Sequence, residues 1–363
     1  MERRKFILTA GGALVAAGAA AAVEAPYVIA QPKFQWRMVT TWPVGLVTLH
    51  GAALRFAKYC DEMSAGRLKV QVFAAGELVP AFGSFDAVSQ GTVDMAHSAA
   101  YYWAGKTPAC QWFAAVPFGL SAQWMNAWFY EGGGIELWEE VYKPFNLVPR
   151  PCGNTGIQMA GWFKRKINTI ADFKGLKMRI PGLGGKVVAK AGGTVVLLPG
   201  GDIFPALERG VIDATEWVGP EDDIKLGLHN AAKYNYYPGW HEPGTAEEAF
   251  FNRKSYDALP ADLKAVVDRA NQANNVAVLA DYNVKNAKGL QELRTKFKDK
   301  VEVLPLSADV LKELKKLAED TLEEEAAKDP LAKKVHEAFK KFKVLYNAWD
   351  KVSEDPYQRF IAV

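Results

Sequence analysis

Apolar and polar residues alternate along Gln35-Trp36-Arg37-Met38-Val39-Thr40, which predicts a strand. From Trp42 to Ala65 the apolar positions change to helical spacing (Leu49, Ala52, Ala53, Phe56, Ala57, Cys60), and Gly66 supplies the stop. Alternation returns at Leu68-Lys69-Val70-Gln71-Val72-Phe73. A strand–helix–strand rhythm of this kind predicts an α/β fold with a mostly parallel sheet. Further strands are expected at residues 146–148, 156–159, 177–180 and 195–198, and Trp112 to Phe118 reads as a buried aromatic segment. A helix is expected from Gln123 to Val141, interrupted at Gly132-Gly133-Gly134. The chain ends in helical patterns: a long one over 262–297, then amphipathic ones over 307–326 and 331–349, split by Asp329-Pro330.

The pattern also contains an echo. Phe85 to Asp94 reads F-x-A-V-x-x-G-x-V-D, and Phe204 to Asp213, 119 positions later, reads F-x-A-L-x-x-G-x-I-D. Each copy describes a helix end, a glycine at the left-handed cap and the entry to a buried strand. Two similar α/β lobes on one plan would produce this repeat. Each copy runs on into a segment expected to face a cleft, Met95-Ala96-His97-Ser98 with Tyr101-Tyr102-Trp103, and Ala214-Thr215-Glu216-Trp217.

The first thirty residues stand apart. Arg3-Arg4-Lys5-Phe6-Ile7-Leu8 and the uncharged Gly/Ala-rich run after it are similar to a twin-arginine export signal, with an ordinary secretory signal as the alternative. Cleavage fits after Ala25 or after Ala30, the second being preferred. No other stretch reaches the roughly 18 apolar residues of a membrane span, so a periplasmic mature protein is expected. Removing residues 1–30 leaves 41 basic and 39 acidic residues, a net charge of +2. That balance gives no basic excess to suggest nucleic-acid binding. Cys60, Cys110 and Cys152 are odd in number and widely spaced, which argues against a disulfide scaffold, a zinc ribbon or an iron–sulfur site.

Catalytic signatures are missing: there is no G-x-S-x-G elbow, no H-E-x-x-H and no P-loop, and the five histidines never fall at i,i+3 or i,i+4. What remains is a set of polar residues in otherwise apolar strands: Asn154 and Gln158, Arg179, Glu216 beside Trp217, and Glu242. An amide, a guanidinium and two carboxylates at strand ends lie where α/β folds bind ligands. Arginine also offers a planar fork that matches a carboxylate.

With these residues in place, the chain resembles the extracytoplasmic solute receptors of tripartite ATP-independent periplasmic (TRAP) transporters, the DctP-type family. The resemblance covers essentially the whole mature chain. It rests on the two repeated phrases, on Lys174-Gly175-Leu176-Lys177-Met178-Arg179-Ile180-Pro181, and on Asn252 to Pro260 at the entry to a long helix. Within the family, Gly153 to Gln158 (G-N-T-G-I-Q) and Ala214 to Pro220 (A-T-E-W-V-G-P) are similar to the branch that binds 2-oxo and 2-hydroxy monocarboxylates through a metal ion. The resemblance implies a two-lobed periplasmic binding protein, with lobe I at 31–157 plus 245–285, lobe II at 158–244 plus 286–303, and C-terminal helices over 304–363 as a possible dimerisation element. It implies that Arg179 clamps the carboxylate, that Gln158, Glu216, the Trp217 carbonyl and Glu242 hold the metal, and that Asn154 and Tyr101 make secondary contacts. Ca²⁺ is the expected ion, with Na⁺ the alternative, because Glu242 stands where some relatives carry an amide. A small organic acid anion, the TRAP permease and a second copy of the chain are the expected partners. The competing reading is a periplasmic metal-dependent lyase or aldolase acting on 2-oxo acids, since the same groups can polarise a carbonyl.

Overall fold

The computed structural model describes residues 33–361; the export signal expected over residues 1–30 lies outside them. Eleven strands are present among the described residues: β1 (Phe34–Thr40), β2 (Leu68–Phe73), β3 (Met95–Ser98), β4 (Leu147–Asn154), β5 (Gly161–Phe163), β6 (Lys177–Arg179), β7 (Thr194–Val196), β8 (Ala214–Thr215), β9 (Tyr234–Tyr237), β10 (Ala246–Asn252) and β11 (Glu302–Pro305). They form two sheets, ordered β2-β1-β3-β10-β4 and β11-β9-β5-β8-β6-β7.

The repeated phrase sits at the same place in both sheets. In the first copy Gly91 takes φ +74° and in the second Gly210 takes φ +75°, the left-handed turn that a side chain would strain. The Asp94 N–H donates to the Arg37 carbonyl at 3.2 Å while its carboxylate accepts the Arg37 N–H at 2.8 Å. Asp213 does the same with Lys177, at 2.7 and 3.0 Å. The phrase thus locks β3 beside β1 and β8 beside β6, both parallel. The remaining order follows suit: β2 matches β7 as a parallel edge, and β10 and β4 match β5 and β9 as antiparallel returns.

Two expectations are corrected. The helical pattern over 42–65 yields a helix only at Leu49–Met63, because Pro43 and Gly45 (φ +95°) hold the preceding stretch in turns. Residues 156–159 alternate like a strand but form none: they carry the chain from β4 in one sheet to β5 in the other, and Gly156 turns at φ +70°. The aromatic segment folds as a short 3-10 helix, Pro108–Phe113, with Phe113 stacked between Trp128 and Trp138 at centroid distances of 5.5 and 5.1 Å.

A helix of 35 residues, Ala261–Thr295, packs on β4, on Leu49–Met63 and on the short helix Pro220–Lys225. The last two long helices start on side-chain caps: Ser307 accepts the Val310 N–H, and Asp329 accepts the Ala332 N–H ahead of Pro330. The three cysteines are free and buried, and no helix among the described residues is long and apolar enough to cross a membrane.

Strand β10 is buried throughout although it carries two glutamates. Glu248 accepts the Trp103 indole N–H at 2.6 Å and the Tyr142 hydroxyl at 2.8 Å. Burial nevertheless pushes its pKa from 4.5 up to about 8. A folded-state pKa above the unfolded value stabilises the protein at low pH, and that contribution is lost as pH rises through about 8. The melting temperature in chelator is therefore expected to be several degrees lower at pH 9 than at pH 6. Glu248→Gln, an uncharged match for the protonated carboxyl, should melt close to the original at pH 6 and fall less steeply toward pH 9. Differential scanning calorimetry across this range checks both; an unchanged slope in the variant would assign the titration to other groups.

Candidate functional site

Polar residues converge where strands end. β6 closes on Arg179, β8 runs into Glu216 and Trp217, β4 leads through Thr155 to Gln158, and His241 and Glu242 lie between β9 and β10. Arg179 is fully buried. Its Nη1 donates to Glu216 Oε1 and, at 3.2 Å, to the Glu216 carbonyl. Nε donates to the Leu198 carbonyl at 3.2 Å, and Nη2 reaches the Tyr102 hydroxyl at 3.4 Å. The guanidinium also lies 5.1 Å from the Trp217 ring centroid, a cation–π contact. Trp217 in turn meets Trp42 edge-on, at 6.3 Å between centroids.

Gln158 donates through Nε2 to the Thr155 and Thr245 hydroxyls, both at 3.2 Å, and Thr245 donates at 2.6 Å to Glu242 Oε2. Two buried oxygens are left without a hydrogen-bond partner, Gln158 Oε1 and Glu216 Oε2. One ligand atom from each of Glu216, His241 and Glu242 lies within 4.8 Å of the others. His241 Nε2 faces Glu216 Oε2 at 3.6 Å. Burial pushes Glu216 up to about 7 against the pull of Arg179, and burial together with the Glu216 charge takes Glu242 to about 7. Burial also holds His241 down at about 4, so it is neutral. Two carboxylates crowded in a dry site with one cation between them are short of positive charge.

The expected residues separate into two groups. Arg179, Gln158, Glu216, Trp217 and Glu242 come together. Tyr101 joins Trp42, Leu49, Ala99 and Val218 in the wall of a small cavity beside them. Asn154 spends its amide on backbone groups, donating to the Gly244 carbonyl of the segment before β10 at 3.1 Å and accepting the Gly156 N–H of its own turn at 2.9 Å. Tyr102, Thr245 and His241 belong to the arrangement without having been singled out as site residues. Tyr102 lies in the 101–103 segment expected to face a cleft, whereas the only sequence signal for His241 and Thr245 was their position flanking Glu242. A larger open groove along Gln90, Asn252 and Lys254 lies at the other end of β3, away from these groups.

Residues 39–329 match the family described as bacterial extracellular solute-binding protein, family 7. The chain belongs to this family. Over 91% of its length it is 44% identical to 89% of a monocarboxylate 2-oxoacid-binding periplasmic protein from a Nostoc species. Two solved structures are similar throughout. One is a TRAP transporter solute-binding protein from Bordetella bronchiseptica, a mixed-occupancy dimer with copurified calcium and picolinate (TM-score 0.88, 37% identity, 91% of this chain and 97% of that one). The other is a TRAP periplasmic solute-binding protein from Pseudoalteromonas atlantica with bound sodium and pyruvate (TM-score 0.87, 38% identity, 91% and 99%). This chain is thus a periplasmic solute receptor of the TRAP type with the two-sheet α/β architecture of its relatives, and the lyase reading is set aside, since family and neighbours are transport receptors.

Proposed function

We propose that this receptor captures a small 2-oxo or 2-hydroxy monocarboxylate, of the size of pyruvate or lactate, through a bound Ca²⁺ and Arg179, and delivers it to a TRAP permease. The observation that carries this reading is the pair of orphaned buried oxygens, Gln158 Oε1 and Glu216 Oε2, beside Glu242 and Arg179. Buried acceptors of this kind need a donor or a cation, and beside two carboxylates short of positive charge a cation serves best. The donor set fits one: Gln158, Glu216, Glu242 and the Trp217 carbonyl would hold the ion, which when bound supplies positive charge for the acid's carboxylate and 2-oxygen. Arg179 would take the carboxylate, and Tyr101 and Trp42 would close over the carbon chain. Asn154 serves by shaping the Gly153–Gln158 turn.

The division into lobes at 31–157 with 245–285 and 158–244 with 286–303 is supported by the strands: β1 to β4 and β10 fall in the first, β5 to β9 in the second, and β11 straddles the boundary with the 304–363 segment. On these bounds the long helix Ala261–Thr295 runs from the first lobe into the second. Calorimetry of the purified protein with pyruvate or lactate and Ca²⁺ tests the function. Saturable one-to-one binding with no product formed is the expected result, and turnover of the acid would overturn it.

A homodimer is part of the same reading. The helix Pro330–Asp350 packs through Val335, His336 and Phe339, with Trp112 donating to His336 Nδ1 at 3.2 Å. Toward its far end Tyr346 still packs on Trp124, but Leu345 and Trp349, then Val352, Tyr357 and Phe360, are all more than half exposed. A strip of that kind at the end of a finished domain calls for a partner surface. Light scattering at micromolar protein should give a dimer mass, and Leu345→Glu with Trp349→Glu should give a monomer that still binds ligand. A monomer mass for the unaltered protein would end this part of the proposal.

A further inference from the structure

The cavity beside the Arg179–Glu216–Glu242 cluster contains a carboxylate that the proposed function leaves unused. Glu247 lines it together with Trp42, Leu49, Ala99 and Val218. Its side chain is 1% exposed, yet neither carboxylate oxygen has a hydrogen-bond partner. Burying such a group without a partner is strongly unfavourable.

The chain is nonetheless built to hold it there. The β10–β4 register shifts between Glu247 and Glu248, a bulge of the kind that re-aims a side chain. Glu247 is paired with Gly153, and a Cβ on Gly153 would stand 2.5 Å from Glu247 Oε2, so any side chain there would push the carboxylate out of its present position. On the neighbouring strand, His97 Nδ1 accepts the Trp42 indole N–H at 2.8 Å, which assigns the imidazole proton to Nε2. That Nε2 faces Glu247 Oε2 at 3.5 Å, beside the Cys152 backbone. Trp42 thus joins the apolar wall of the cavity to a polar pair, His97 and Glu247, at its end.

We infer that Glu247, backed by His97, is a second polar pole of the ligand site that recognises a hydroxyl on the distal carbon of the bound 2-oxo acid. The inference rests on the 2-oxo acid reading above. The apolar wall suits the intervening carbons. A hydroxyl both donates and accepts, so it satisfies Glu247 whether the carboxyl is ionised or protonated. A plain alkyl chain would leave the carboxyl unpaired once water is expelled, which is the strong form of discrimination against an analogue lacking a polar group.

Titration calorimetry of the Ca²⁺-loaded protein with isosteric pairs tests this: hydroxypyruvate against 2-oxobutyrate, and 4-hydroxy-2-oxobutyrate against 2-oxovalerate. In each pair a hydroxyl replaces a terminal methyl. The hydroxyl member of at least one pair is expected to bind about tenfold tighter or more. That preference should vanish or invert in Glu247→Leu and shrink in Glu247→Gln. Equal or tighter binding of the methyl member in both pairs would overturn the inference and assign the carboxylate to a retained water. So would a preference that survives Glu247→Leu; if that variant fails to fold, the unaltered protein's ratios and Glu247→Gln decide. Pyruvate on the unaltered protein separates the two readings: pyruvate bound without hydroxyl preference overturns this inference alone, whereas no binding of any 2-oxo acid overturns both.

Discussion

Replacing Arg179 with Ala is expected to weaken binding of the acid by about 2–5 kcal/mol, or ~30-fold to several thousand-fold, with the fold retained. The guanidinium is fully buried and held on three sides, by Glu216, the Leu198 carbonyl and Tyr102, with Trp217 across its face. Little side-chain entropy remains to be lost when a carboxylate arrives, so most of the charge-assisted contact appears as affinity. Alanine removes that contact; in the ion-free protein it also leaves Glu216 without its cation in a dry site, a cost to stability that bound Ca²⁺ offsets. Arg179→Lys should lose most of the binding too, because an ammonium cannot reproduce the planar fork or its stacking on Trp217. Calorimetry with pyruvate and Ca²⁺ gives the loss, and circular dichroism checks the fold. A folded Arg179→Ala protein that binds within a few-fold of the original would remove Arg179 from the clamp role.

Much of this was legible in the sequence because the signals were local. The phrase ending in Asp94 and Asp213 works through contacts that each repeat unit makes with its own sheet, so its recurrence could be read as two lobes on one plan. Arg179, Glu216, Gln158 and Glu242 stood out because a polar residue inside an apolar strand needs a partner, and the four turn out to share one region. Thr245 and His241 were not legible, and Tyr102 only as part of a segment expected to face a cleft, since their roles depend on which strand end they face after folding. The alternation over 156–159 misled for a related reason. Gln158 is buried there by its bonds to Thr155 and Thr245, not by a sheet, and pattern alone cannot tell these apart. Glu247 could not be told from its neighbour by sequence: Glu248 is equally buried in the same strand, yet folding gives Glu248 two hydrogen-bond donors and Glu247 none.

Chelation should remove ligand binding, and Ca²⁺ should restore it. The charges decide this. Glu216 and Glu242 contribute two negative charges, a bound carboxylate a third, and Arg179 one positive, so the liganded site without an ion carries a net charge of −2 in a closed, buried cluster. The ion-free protein meets part of this strain by holding protons, which is the physical content of both glutamates lying near 7. A divalent ion cancels the charge outright; sodium leaves −1. All the proposed donors are oxygens, from two carboxylates, the Gln158 amide, a backbone carbonyl and the acid itself. Such a set suits calcium, whereas magnesium prefers a tight octahedron that keeps several waters, and zinc prefers nitrogen or sulfur. Among the relatives, calcium accompanies picolinate in one structure and sodium accompanies pyruvate in another, so related receptors hold ions of either charge. Glu242→Gln should therefore cost at least ~10–100-fold in Ca²⁺-dependent affinity, the loss typical even of an outer-shell partner. It should also raise the share of binding that sodium alone supports. Pyruvate titrations in EGTA, in sodium buffer and with added Ca²⁺, on both proteins, measure each step. Full affinity of the unaltered protein in sodium buffer with excess chelator would show that Glu242 serves some purpose other than fixing a divalent ion.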